Sequence, residues 1–157
     1  MRLTIMILTI FLFSSIVYSQ NGDPIKYIAV NYTDLRIHTQ TELPLDLFIE
    51  KTYPGYIDRD TITSDSLLSL FEDEFNKFTS PVYIDNCSDY RLVALVFRNS
   101  GKIDTLAVGE CFVVVFNQNL YKPRIRLLKL FTERLQPFSQ EEYYDYIKNL
   151  ESYFECE

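Results

Sequence analysis

Residues 91–108 read RLVALVFRNSGKIDTLAV, and this stretch decides the fold. Arg91 and Arg98 enclose six apolar residues, Leu92 to Phe97, a run of strand length. Asn99-Ser100-Gly101 supplies turn chemistry, with Gly101 able to take the left-handed conformation of a bulged hairpin loop. Lys102 to Val108 then returns as a second strand, and Phe112 to Phe116 makes a third. If Arg98 faces Lys102, paired residue numbers sum to about 200 throughout the hairpin, which follows from antiparallel pairing. On that register Cys111 faces Asp89, two positions from Cys87, so Cys87 and Cys111 are the candidate disulfide. Cys156 lies between Glu155 and Glu157, where neighbouring negative charge opposes a thiolate.

On the N-terminal side, Lys26 to Thr33 is rich in β-formers, and Leu35 to Gln40 alternates apolar and polar residues. A short apolar run, Leu45 to Glu50, follows Pro44, and a turn-rich section holding Pro54-Gly55 leads to the first helix. That helix is expected from Thr63 or Ser64 to about Phe78, because Leu67, Phe71, Phe75 and Phe78 recur at helical spacing. Thr63 or Ser64 can cap its free amides, and Asp65 sits in the first turn, where the helix dipole favours an anion.

Two more helices are expected on the C-terminal side. Pro123 suits the first turn of one running to about Leu135, with Leu127, Leu128, Phe131 and Leu135 inward. Ser139 and Glu142 form a capping box that opens the other, whose apolar stripe is Tyr143, Tyr146, Ile147, Leu150 and Phe154. The whole reads as one α+β domain, a mainly antiparallel sheet with about three helices packed on one face.

The first residues carry a message about compartment. After Met1-Arg2, residues 3–17 contain no charge, and Val17-Tyr18-Ser19 suits a signal peptidase. A secretory signal over residues 1–19 and a globular domain over 20–157 is the expected organisation. The run is too short for a spanning helix, which needs roughly 20 residues, and no other stretch is long and apolar enough. No cysteine near the cleavage point supports acylation. The expected location is therefore a periplasm or the extracellular space, with no membrane span after cleavage.

Charge and composition narrow the function classes. The chain carries a net charge of −7, which becomes −8 once Arg2 leaves with the signal. That balance repels nucleic acid and anionic lipid and favours a cationic protein partner. His38 is the single histidine and falls on the polar side of its alternating run, so a catalytic triad has no obvious base. No nucleophile elbow, Cys-x-x-Cys pair or glycine-rich phosphate loop occurs, and no catalytic residue, cofactor or metal ligand is assigned. Asp85 to Asp89 resembles the start of a calcium loop but has Tyr90 and Val96 where glycine and glutamate belong. The candidate acid groups are Asp58/Asp60, Glu72/Asp73/Glu74 and Glu141/Glu142, of which the last two read as solvated, on helix faces away from the apolar stripes.

One charge pattern stands out. Residues 122–134 hold Lys122, Arg124, Arg126, Lys129 and Arg134 against Glu133, while residues 141–157 are acidic. The first reading is mutual neutralisation of two helices; the second is a basic face for an anionic partner. Candidate partner contacts are Tyr143, Tyr144, Lys122, Arg124 and Arg126. Asn31-Tyr32-Thr33 and Asn86-Cys87-Ser88 match the N-glycosylation sequon. The favoured function is a non-enzymatic exported binding module of the inhibitor or immunity type. A carrier of a small apolar ligand comes second and a carboxylate-dependent hydrolase third.

Overall fold

A computed structural model describes residues 22–34, 42–50, 57–82, 89–109, 112–135, 145 and 148–149. In chain order the elements are β1 (Ile25–Tyr32), α1 (Leu45–Glu50), β2 (Asp58–Ile62), α2 (Asp65–Phe75), β3 (Tyr90–Arg98), β4 (Ile103–Gly109), β5 (Val114–Phe116), β6 (Asn119–Tyr121) and α3 (Ile125–Arg134). The strands form one antiparallel sheet in the order β2-β1-β3-β4-β5-β6. The fold is α+β, with β3 to β6 a meander and β1 inserted between β2 and β3.

The central hairpin has the expected register. Leu92 faces Val108 and Phe97 faces Ile103. Arg98 N–H donates to the Lys102 carbonyl at 2.9 Å, Gly101 N–H donates to the Arg98 carbonyl at 3.0 Å, and Gly101 has φ +89°. The next hairpin repeats this hydrogen-bond pattern: Gly109 N–H to the Val113 carbonyl and Phe112 N–H to the Gly109 carbonyl. There Phe112 takes the left-handed position at φ 57° in place of a glycine. That conformation costs a bulky L-residue about 1–2 kcal/mol, which the packing of its ring against the core offsets. The β3–β4 register shifts between Tyr90 and Leu92, so the pairing expected of Asp89 does not simply extrapolate. Cys87 and Cys111 lie outside the described residues.

The alternation of side chains along the central strands divides the core in two. Leu92, Ala94, Val96, Leu106 and Val108 point to one face, where Phe71 and Phe75 of α2 and Leu127, Leu128 and Phe131 of α3 cover them. Every inward position expected of the helix after Pro123 is buried, Leu135 included. In α2, Phe71 and Phe75 are buried, Leu68 joins them and Leu67 packs at the margin; Phe78, expected within the helix, lies just past its end at Phe75 and packs there too. Ser64 holds the N-cap position in an extended conformation, but its hydroxyl meets that of Ser66 at 2.9 Å instead of capping an amide.

On the reverse face Val93 and Ala107 pack against Phe48 of α1. The two longer helices thus share one face, and the short one sits on the other. The apolar run after Pro44 is helical here, held by Phe48 burial and by Asn31, whose side-chain amide donates to the Phe48 carbonyl at 2.8 Å. β2 arises from the section read as turn-rich, because an edge strand with Asp58, Arg59 and Asp60 needs only Ile62 inward. Leu35 to Gln40, His38 included, residues 1–19, where a signal is expected, and the helix expected after Ser139 fall outside the described residues, apart from residues 145, 148 and 149, which are helical. No helix among the described residues is long and apolar enough to cross a membrane.

Candidate functional site

Three charged clusters organise the described surface. The first ties β3 to the segment before α1: Asp89 grips the buried Arg91 through both carboxylate oxygens and accepts the Leu43 N–H at 2.8 Å. Asp89, in the stretch that resembles the start of a calcium loop, is thus an ion-pair partner.

The second centres on Arg98, at the end of β3. Its Nε donates to Asp104 at 2.7 Å, and one Nη donates to both oxygens of Glu72 at 2.8 Å and to the Asp23 carbonyl at 2.7 Å. Asp104 is only 1% exposed and also receives Lys102 Nζ at 2.7 Å and the Asn117 amide at 2.8 Å. Asn117 is in place because it and Gln118 both adopt positive φ, the geometry that suits a two-residue hairpin turn. Burial pushes the Asp104 carboxyl up, but hydrogen bonds from Lys102, Arg98 and Asn117 outweigh it and hold the group below the ordinary aspartate value.

The third cluster borders a cleft of about 310 Å³ between the end of α2 and the β6–α3 connection. Its hub is Glu74, which the helical pattern placed among solvated acids but which is 1% exposed. Lys77 Nζ meets it at 2.6 Å, Arg124 at 2.9 Å and Arg126 at 3.4 Å. Burial raises the Glu74 carboxyl, yet the bonds from Lys77 and Arg124 prevail and leave it below the ordinary glutamate value. The signal was present in the sequence: Glu74 stands three residues after Phe71, within the width of the buried stripe. Lys77 is within reach in sequence; what could not be read was the pairing with Arg124, fifty residues away.

Lys77, Lys122 and Arg124 line this cleft together with the rings of Phe78 and Tyr121. The rings are the outer end of an aromatic chain that starts in the core. Phe131 meets Phe71 at 4.7 Å, Phe75 meets Phe116 at 5.3 Å, Phe116 meets Phe78 at 5.0 Å, and Phe78 meets Tyr121 at 4.6 Å. Arg124 lies over Phe78 at 5.7 Å, a cation–π contact. The Val82 N–H donates to the Leu120 carbonyl at 2.8 Å and closes one wall. Arg124 is also the N-cap residue of α3, whose first turn carries no acid, so the positive end of the helix dipole adds to the cations.

Of the expected partner contacts, the structure brings Lys122 and Arg124 to this cleft and sets Arg126 behind them on Glu74. Tyr143 and Tyr144 lie outside the described residues. Among the described residues Arg124 and Arg126 of the basic run pair with Glu74, and Arg134 reaches Asp60 at 3.4 Å. Asn31 of the first sequon is half-buried in β1 with its amide already bonded to Phe48, a poor acceptor for a glycan; Asn86 is outside the described residues. No group of three His, Cys, Asp or Glu side chains among the described residues is placed to hold a metal.

A second cleft, about 280 Å³, has Ile25 and Leu68 at its base and Asp65 and Glu72 on its rim. Those acids are two helical turns apart, about 10 Å along the axis, beyond the spacing at which paired carboxylates usually act on one bond. Glu72 is committed to Arg98.

The lowered carboxyls of Glu74 and Asp104 predict an acid-sensitive fold. A carboxylate held below its unfolded value contributes stability that is complete above about pH 5 and is lost as pH falls through the lowered folded value. The melting temperature should fall steeply below about pH 4. In Asp104→Asn, less stable at neutral pH, the decline should be shallower. Scanning calorimetry from pH 7 to pH 2 checks both.

No protein-family model, no curated protein and no solved structure matches the chain.

Proposed function

We propose that the protein is a non-enzymatic binding module, exported by its N-terminal segment, that docks on a protein partner in the manner of an inhibitor or immunity protein. The observation that carries this reading is the lining of the 310 Å³ cleft. Cations and aromatic rings meet there, while among the described residues none that lines it is a carboxylate, histidine or cysteine. Such a surface offers buried area, orientation and charge recognition; its nucleophilic and basic groups are the hydroxyls of Thr79, Ser80 and Tyr121 and the amines of Lys77 and Lys122, with Lys77 already paired to Glu74. Tyr and Arg are the residue types that most often anchor protein interfaces.

Two observations weigh against the other readings. The space between the sheet and the long helices is occupied by Phe71, Phe75, Leu127, Leu128 and Phe131, which leaves a carrier's ligand no interior room there. A hydrolase acid needs its carboxyl raised toward neutrality, whereas Glu74 and Asp104 are held low by paired cations. Affinity capture with residues 20–157 from the exported fraction, read by mass spectrometry, tests the proposal. One stoichiometric protein partner is expected; a blank would contradict it.

A further inference from the structure

We propose that the cleft receives a carboxylate from an acidic segment of the partner, with an adjacent aromatic or aliphatic side chain lying on Phe78 and Tyr121. This rests on the binding-module reading and gives the partner's contact its chemistry, which is the opposite of what the chain's overall acidity suggests.

The charge around Glu74 is out of balance. Three cations lie within 3.4 Å of one buried carboxylate, and Lys122, a fourth, lines the same cleft with no ion pair among the described residues. Donors also remain. Arg124 gives Nε and one Nη to a single oxygen of Glu74, which leaves the N–H groups of its other Nη uncommitted among the described residues. Lys77 gives one of three ammonium donors to Glu74. An incoming carboxylate would meet these donors beside an aromatic wall, where the lower local dielectric strengthens the attraction relative to open water.

Size and the net charge of −7 select the ligand. A nucleic acid or an anionic membrane presents many charges over a long surface and meets the repulsive field of the whole molecule. A single carboxylate meets mainly the local cations, because charges more than about 8–10 Å away are screened at physiological salt. Phe78 and Tyr121 add an apolar platform that inorganic anions cannot use.

The test is a ¹⁵N-NMR titration of the processed protein with the acetylated, amidated peptide Phe-Glu-Phe-Glu, its Phe-Gln-Phe-Gln counterpart, and inorganic phosphate. Saturable shifts confined to the amides around Lys77–Thr79 and Tyr121–Arg124 are expected from the acidic peptide alone. Lys122→Glu should weaken them at least tenfold, and because Lys122 is exposed the same spectra verify that the variant is folded. Equal shifts from the glutamine peptide, shifts centred elsewhere, or tighter saturation by phosphate would each overturn the proposal. If capture returns a partner that Lys122→Glu binds undiminished, this inference falls while the binding-module reading stands. A blank capture would remove that reading instead.

Discussion

Phe131→Ala is expected to remove about 3–5 kcal/mol of stability. Phe131 is fully buried in α3, and its ring meets Phe71 of α2 at 4.7 Å. It therefore joins the two long helices to each other over the sheet. Leu127 and Leu128, its neighbours on α3, are themselves packed and cannot swing into the vacated volume without opening other gaps. A domain of this size has roughly 5–15 kcal/mol to lose, so the substitution should lower the urea midpoint by about 2 M. Phe131→Leu, which keeps most of the volume, should cost about 1–2 kcal/mol. A loss below about 1 kcal/mol for the alanine variant would mean that the α2–α3 seam is not where the fold is held.

Arg98→Met should be of similar severity, about 3 kcal/mol or more, for a different reason. Methionine replaces much of the packing stem but leaves Asp104 buried with only Lys102 and Asn117, and frees Glu72 from its bidentate partner. Lys102 is 63% exposed, and its own removal should cost under about 1 kcal/mol. The sharper check is a double-mutant cycle. Because the penalty is an uncompensated buried charge, adding Asp104→Asn to Arg98→Met should recover part of the loss, a non-additivity of about 1–2 kcal/mol. Strict additivity would assign the Arg98 effect to its alkyl packing. The wild-type advantage should also shrink at low pH, where Asp104 is protonated in both proteins.

The hairpin of β3 and β4 was legible because its apolar run, turn and glycine all demand one register, and φ +89° at Gly101 is the conformation its position required. The α2 and α3 stripes were legible because burial on one face imposes a helical period on the sequence. Elements lacking such a period were not. α1 is six residues long and anchored by Phe48, β2 is an exposed edge with one inward residue, and β6 spans three residues. The site was half legible. Lys122, Arg124 and Arg126 followed from their density along the chain, whereas Glu74, Lys77, Phe78 and Tyr121 join them only through the tertiary packing of α2 beside β6 and α3. Local charge counting sees Lys77 beside Glu74 but not Arg124, fifty residues distant.

On the proposed reading this acidic protein docks through the cationic-aromatic cleft beside α2 and receives an acid there. Carbodiimide cross-linking of the captured complex tests it most directly, since the reagent joins an amine to a carboxylate in contact without adding a spacer. An amide bond between Lys122 or Lys77 and an Asp or Glu of the partner is the predicted product. Cross-links running the other way, from acids of this chain to lysines of the partner with Lys122 and Lys77 untouched, would contradict the account.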